Sequence, residues 1–178
     1  MPFLRYYTVF NIEQAEGVEV PKDEPLPELS PIAECERIAE RMPNPPKIEF
    51  DGGNRAFYRP LNDSVHLPLR KVFLSAEEYY STLFHELVHS TGHGSRLNRP
   101  GIQDVNFGSE KYSKEELIAE IGAAFLCGTT GIEKKTIQNS AAYVQNWLNA
   151  LKDDKKLVVL AAAQAQKAVD YVTGQSPS

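Results

Sequence analysis

The segment that most constrains this chain is His85-Glu86-Leu87-Val88-His89, which has the form H-E-x-x-H. Residues i and i+4 of an α-helix share a face, so the imidazoles of His85 and His89 can both reach one metal ion. Glu86, next to the first histidine, can then act on a metal-bound water. If the segment is helical, the motif predicts a zinc hydrolase, and a peptidase in particular.

The residues around the motif predict a helix from about Ala76 to Thr91. Ser75 and Glu78 have the S-x-x-E form of a capping box at its start. Apolar residues recur at helical spacing, and Gly92 fits a C-cap. The motif therefore lies in the second half of an amphipathic helix. This setting favours ligand histidines over histidines that are merely surface residues.

A catalytic zinc site needs a third protein ligand. His93 follows His89 by four residues, but Gly92 should end the helix first. Three successive turns also span about 12 Å, too far for three rings to meet at one ion. His93 is therefore the weaker candidate, with a plain helix-terminal histidine as the alternative. Ser95 stands where a metzincin would require histidine, which excludes that class.

Two acidic residues, Glu116 and Glu120, are better candidates for the third ligand. They are spaced i and i+4 on a second predicted helix over residues 113–126. A carboxylate on a helix face that packs against a core needs a partner, either the metal ion or the outer nitrogen of a ligand histidine. The neighbouring Glu115 is expected to be solvated.

The order of the two acids stays open at this point. Residues 113–116 also have the form of a capping box, so Glu116 could close the helix start and leave Glu120 as the ligand. The spacing Glu-x-x-Ala-Glu resembles the Glu-x-x-Ala-Asp segment of several zincin families, in which the first acid binds zinc and the second supports a ligand histidine. That resemblance implies Glu116 as the ligand and Glu120 as the support.

The rest of the chain predicts an α+β domain with a small antiparallel sheet before the motif helix. The predicted strands cover residues 3–10, 47–50, 56–58 and 64–67. The other predicted helices cover residues 32–42, 134–151 and 156–173. Residues 20–31 contain four prolines among acidic residues and are expected to be an irregular linker.

The composition of the chain limits the number of domains, the partners and the compartment that can be expected. With 178 residues, 42% of them hydrophobic, the chain can bury one core, so a single domain over 1–178 is expected. A net charge of −5 disfavours nucleic acid as the partner of this segment. Cys35 and Cys127 match no metal pattern, and no signal peptide or membrane span is visible. We therefore expect a cytoplasmic protein.

Other residues are predicted only as neighbours of the site or as surface. Tyr112 and Tyr143 could support an oxyanion, although packing is the commoner role of such tyrosines. His66 is expected to be half-exposed on its strand. Arg96 and Arg99 are expected to be solvated cations rather than a nucleic-acid site.

With these motifs the chain resembles the metallopeptidase domain of ArdC-type antirestriction proteins, which is related to a domain of plasmid TraC-type primases. The matching segments are residues 7–11 with Gln14 and Gly17, 56–58 with Pro60, Asp63, Leu67 and Pro68, 85–92, 96–99, 115–126, 140–143, and Trp147 with Leu148. The helix pair with the Ser-Arg-Leu-Asn-Arg loop between its helices is the most specific part.

The resemblance implies a zincin fold, one Zn²⁺ ion at a His-His-Glu site and a function in the entry of mobile DNA. Members of that family carry an N-terminal domain that binds single-stranded DNA. Residues 1–31 are therefore expected to be the end of such a domain, and binding of single-stranded DNA is expected of the missing part rather than of this segment.

Two hypotheses of different classes follow. In the first, the chain is a zinc-dependent endopeptidase, and Glu86 takes a proton from the zinc-bound water as it attacks a peptide carbonyl. Its partner would be a peptide or protein that pairs with a sheet edge near residues 56–67. In the second, it is a non-proteolytic zinc-binding module that acts in antirestriction through protein or DNA binding. Manganese or cobalt would also suit a His/Glu site.

Overall fold

The computed structural model describes residues 30–103, 110–133 and 155–175. In chain order the elements are α1 (Ala33–Arg41), β1 (Lys47–Glu49), β2 (Phe57–Arg59), β3 (Ser64–His66), α2 (Ala76–Thr91), α3 (Glu110–Thr130) and α4 (Lys155–Val172). The predicted α+β class is confirmed. The strand predicted at 3–10 and the helix predicted at 134–151, which would carry Tyr143, lie outside the described residues.

The three strands form one sheet in the order β1-β3-β2. β2 and β3 are antiparallel and joined by a short turn in which Asp63 has a φ of 51°. β1 pairs with β3 in parallel, so the prediction of a purely antiparallel sheet is wrong for this pair. The chain leaves β1, passes beyond the position of β3 and starts β2 at the opposite edge. Only the β2–β3 pair is therefore set by a local turn.

The core lies where α2 packs against α3, with α4 and the sheet on either side. The fully buried large side chains include Tyr79, Tyr80, Leu83, Phe84 and Leu87 on α2, and Leu117 and Leu126 on α3. Burial on this scale fixes the two helices that carry the predicted site, since each such side chain contributes about 1.5–3 kcal/mol. In the described ranges, no helix is both long and apolar enough to cross a membrane.

Helix α2 begins and ends where the sequence predicts. The Ser75 hydroxyl accepts a hydrogen bond from the Glu78 backbone N–H at 3.2 Å, which is half of a capping box. The Glu78 carboxylate accepts from the N–H of Leu74 rather than that of Ser75, at 3.3 Å. Gly92 is the C-cap with an ordinary φ of −71°. A Cβ there would lie 3.2 Å from the Arg99 guanidinium, so close approach explains the glycine.

Helix α3 begins at Glu110, three residues before the predicted start at Ser113. The S-x-x-E pattern at 113–116 therefore lies inside the helix, and the reading of Glu116 as part of a capping box is wrong. The residues just before Ser113 include good helix formers and no proline or glycine, so nothing in them ends the helix there. Glu116 lies in the second turn, where its side chain can face α2.

Gly122 sets how closely α3 approaches α2. A Cβ built at this position would lie 2.8 Å and 2.9 Å from the two methyl carbons of Val88. Val88 is fully buried and lies between Glu86 and His89 on the motif helix. Any side chain at Gly122 would therefore push the two helices that carry the site apart.

We expect Gly122→Ala to lower the free energy of unfolding by about 1–3 kcal/mol, the usual cost of overpacking a core. Chemical denaturation measures this change in the free energy of unfolding. Gly128, on the same helix, has open space around its Cα, so Gly128→Ala should leave stability unchanged or raise it by up to about 1 kcal/mol. Adding Val88→Ala to Gly122→Ala should recover part of the loss. Equal stability of the two single variants would contradict the contact.

Candidate metal centre

His85 and His89 project from α2 towards α3, and Glu116 faces them from α3. The two Nε2 atoms are 3.0 Å apart. The Glu116 carboxylate lies 3.6 Å from His85 Nε2 and 3.5 Å from His89 Nε2. Within the described part of the chain, these three residues are the only such group whose potential ligand atoms all lie within 4.8 Å of one another.

The spacing and the chemistry of these three groups fit a divalent ion. Bonds of about 2.0–2.2 Å to a tetrahedral zinc ion place neighbouring ligand atoms about 3.3–3.6 Å apart. Each Nε2 atom lies at about this distance from one oxygen of Glu116, His85 from Oε2 and His89 from Oε1, and the two Nε2 atoms are slightly closer to each other. Two neutral imidazoles and one carboxylate form a common catalytic zinc set, and manganese and cobalt also accept these donors.

Each histidine has a second carboxylate on its outer side. Glu120 lies 3.5 Å from His85 Nδ1, which is the position expected of the supporting acid. Glu115 lies 3.6 Å from His89 Nδ1 and is only 4% exposed. The prediction that Glu115 is solvated is therefore wrong. Three acids of α3, rather than two, face the histidine pair.

Glu115 is held in place by Arg99, which comes from the loop between α2 and α3. The guanidinium Nε donates to Glu115 Oε2 at 3.0 Å, and Nη2 donates to Oε1. Arg99 is 6% exposed, and the neighbouring Arg96 is fully buried at its side chain against Asp63. The prediction that both arginines are solvated cations is therefore wrong, because each neutralises a carboxylate that the fold buries or half-buries.

Glu86 and Tyr112 lie beside the three converging residues. Glu86 is buried, 6% exposed, and lines the same cleft. Tyr112 is one helical turn before Glu116 and also lines that cleft. Burial, together with the nearby Glu116 carboxylate, raises the pKa of Tyr112 to about 12, so the phenol is protonated at neutral pH. It can therefore donate a hydrogen bond into the cleft.

The other two histidines lie outside this group. His93 Nδ1 is 2.8 Å from the hydroxyl of Ser95 in the loop after α2, which agrees with the interpretation of a plain helix-terminal histidine. His66 is 5% exposed and stacks on Phe57 with ring centroids 4.5 Å apart, so the prediction of a half-exposed histidine is wrong. β3 is the central strand, and the alternation pattern of the sequence could not show that both of its faces are covered.

The charges of the site are balanced between carboxylates and imidazoles. Burial alone would lower the pKa of His89, but the contacts with Glu115 and Glu116 raise it well above its usual value. Burial alone would raise the pKa of Glu116, but the contacts with His85 and His89 lower it well below its usual value. Burial raises the pKa of Glu120. The carboxylate of Glu116 is therefore ionised where it faces the two Nε2 atoms.

The site opens into a cleft of about 310 Å³. One wall carries His85, Glu86, His89, Tyr112, Glu115 and Glu116. Another part of the lining is formed by residues 55–58, which lead into and include the first two residues of β2, together with Pro60. β2 is an edge strand of the described sheet, paired only with β3. The cleft is therefore lined both by the histidine pair and by residues of a strand that lies at the edge of the described sheet.

A family model and several known proteins are similar to this chain. A family model described as a zincin-like metallopeptidase matches residues 37–164. The chain is 42% identical over 171 residues to the DNA primase TraC of Escherichia coli, which covers 96% of this chain and 16% of the primase. It is 34% identical over 174 residues to the uncharacterized protein y4eC of Sinorhizobium fredii, covering 97% of this chain and 55% of that protein.

Two solved structures are also similar, both of the antirestriction protein ArdC from plasmid R388. The Mn(II)-bound crystal structure is 40% identical with a TM-score of 0.64, covering 94% of this chain and 61% of that chain. The metal-free structure is 36% identical with a TM-score of 0.59, covering 96% of this chain and 62% of that chain. The chain therefore spans less than two thirds of the length of each of these relatives.

Proposed function

The chain belongs to the zincin-like metallopeptidase family, and from this premise we propose that it hydrolyses peptide bonds with one bound Zn²⁺ ion. His85, His89 and Glu116 would hold the ion. The observation that carries the proposal is the convergence of these three side chains beside the buried Glu86 at the mouth of a cleft. Manganese is the other candidate, because the similar ArdC structure binds Mn(II).

A divalent ion at this site would supply Lewis-acid chemistry, which polarises a peptide carbonyl and lowers the pKa of water. The chain's own groups would do the rest. Glu86 would accept a proton from the attacking water and deliver it to the leaving amine. Tyr112, protonated at neutral pH, would donate a hydrogen bond to the developing oxyanion. Glu120 would orient the His85 ring through Nδ1.

β2, which lies at the edge of the described sheet, would supply a place for the substrate backbone. An extended peptide could continue the sheet there, and its main chain would pass along the cleft in front of Glu86. The side chains on that wall are mainly apolar, from Ala56, Phe57 and Pro60, with the exposed Arg55 at the rim. We therefore propose a flexible or unfolded protein segment as the substrate class.

The wider biological context is proposed from the similar proteins. ArdC is an antirestriction protein, and TraC is a DNA primase. A function in antirestriction on mobile DNA is therefore proposed for this chain as well. A second candidate is that the segment does not cleave peptide bonds. In that case the segment would be a metal-binding module that acts by binding a protein or DNA partner.

Removal of the metal tests the peptidase directly. Cleavage of an unfolded protein such as casein should fall to background after treatment with a chelator, because no other group on the cleft wall can polarise the carbonyl as strongly. Zn²⁺ or Mn²⁺ added back should restore it. Bound metal at about 100 times its dissociation constant should also raise stability by about 2.7 kcal/mol.

The control for this experiment is the same chelator saturated with zinc beforehand, which should leave cleavage unchanged. Cleavage that persists in fully metal-free protein would contradict the proposed function. Metal binding without any cleavage of unfolded proteins would favour the binding module instead.

A further inference from the structure

We propose that Arg99 and Glu115 are positioning residues of the metal centre: Arg99 fixes the plane of the Glu115 carboxylate, and that carboxylate orients the His89 ring. The proposal rests on the proposed function, since it concerns the same site. It goes beyond the proposed function because neither residue is among the three that would hold the ion. They act on the reaction only through His89.

The pair is buried and joined at two points. Arg99 Nε donates to one carboxylate oxygen of Glu115 at 3.0 Å, and Nη2 donates to the other. Two parallel hydrogen bonds of this kind fix the orientation of a carboxylate as well as its position. Arg99 is 6% exposed and Glu115 is 4% exposed, so water does not compete for these contacts.

Arg99 is itself anchored to the end of the motif helix. Its Nη1 donates to the Thr91 hydroxyl at 2.5 Å, and its Nη2 donates to the Val88 carbonyl at 2.9 Å. Its backbone N–H donates to the Gly92 carbonyl at 3.0 Å. The guanidinium therefore fixes the position of Glu115 on α3 relative to the turn of α2 that carries His89.

The contact that matters for the metal is the one from Glu115 to His89. Glu115 Oε1, the oxygen that also accepts from Arg99 Nη2, lies 3.6 Å from His89 Nδ1. A carboxylate on the outer nitrogen keeps the proton there, so the inner nitrogen Nε2 is the metal donor. His89 Nε2 faces Glu116 at 3.5 Å, on the metal side of the ring. Glu115 and Glu116 thus hold opposite sides of one imidazole.

The simpler interpretation is an ion pair that only joins two helices. The two interpretations differ in what happens when both charges are removed. Replacement of a buried pair by apolar side chains of similar volume is often neutral for stability. Loss of a carboxylate behind a ligand histidine typically weakens metal binding by about 10–100-fold. Measurements of stability and of metal affinity therefore distinguish a pair that positions His89 from an ion pair that only joins two helices.

The experiment compares the double variant Arg99→Met/Glu115→Met with the parent protein. Zn²⁺ affinity is measured by competition with a chromophoric chelator, and stability is measured as the thermal midpoint of the metal-free proteins. We expect a thermal midpoint close to that of the parent and a Zn²⁺ affinity lower by about 10–100-fold. Thr91→Val removes only one of the hydrogen bonds that anchor Arg99, so we expect a smaller loss of Zn²⁺ affinity than in the double variant.

A double variant that folds and binds Zn²⁺ with parental affinity overturns the proposal. If the double variant does not fold, Glu115→Gln gives the same test, because it keeps the volume and removes the charge. Parental Zn²⁺ affinity in that variant overturns the proposal as well. A parent protein that binds no divalent ion overturns the proposed function and this proposal together. A parent that binds Zn²⁺ beside an unimpaired variant overturns this proposal alone.

Discussion

Glu86→Gln is expected to reduce peptide cleavage by about 10²–10⁴-fold, while the variant still binds one metal ion with parental affinity. The amide keeps the size of the side chain but can no longer accept a proton from water. Glu86 is not one of the three converging residues, so its loss should leave metal binding intact. This variant separates the catalytic step from metal binding, because a variant of a metal ligand would lose both.

The measurement is the initial rate of cleavage of an unfolded protein together with Zn²⁺ content by elemental analysis. Glu40→Gln is the matched control, since Glu40 is an exposed residue of α1 outside the cleft. It removes the same charge and should keep the parental rate. A Glu86→Gln variant that cleaves at the parental rate would rule out the proposed mechanism. Full antirestriction by that variant would favour the binding module.

The motif helix could be predicted almost to the residue because all of its determinants are local. Ser75 caps its start, apolar residues recur at helical spacing, and Gly92 ends it. The two imidazoles then follow from the geometry of one turn. No tertiary information is needed to place His85 and His89 side by side, which is why this half of the site was accessible from the sequence.

The other half of the site depends on how two helices meet, and there the sequence was less informative. Glu115 and Glu116 are adjacent, and only the rotation of α3 against α2 decides that one faces Nε2 and the other Nδ1 of His89. Arg99 is one of several cations in an acidic chain, and nothing local marks it as buried. The one sequence signal for a role of Arg99 is its place in the loop between the two helices that carry the site.

In the sheet, too, one pair of strands is determined by local sequence and the other by contacts between distant residues. The β2–β3 hairpin follows from a short turn at Asp63, and it was predicted with strand bounds within one residue. The parallel pairing of β1 with β3 depends on a crossover that no local pattern encodes. The burial of His66 follows from its central position, because Glu49 of β1 and Phe57 of β2 lie on either side of it in the register.

Glu116→Gln is expected to lower Zn²⁺ affinity by more than about 100-fold, whereas Glu120→Gln should lower it by about 10–100-fold. The two substitutions are identical in chemistry and one helical turn apart, so each is the control for the other. Glu116 lies on the Nε2 side of both histidines, at 3.5 Å and 3.6 Å. Glu120 lies on the Nδ1 side of His85, at 3.5 Å.

An imidazole can hold an ion through only one of its nitrogens while the other carries a proton. The two Nε2 atoms face each other, so an ion between them is within reach of Glu116 and on the far side of the ring from Glu120. Burial raises the pKa of Glu120, whereas the histidine contacts keep Glu116 ionised, as a metal ligand must be. Zn²⁺ titration of both variants at neutral pH measures the difference. A larger loss in Glu120→Gln would reverse the assignment and place the ion on the Nδ1 side of His85.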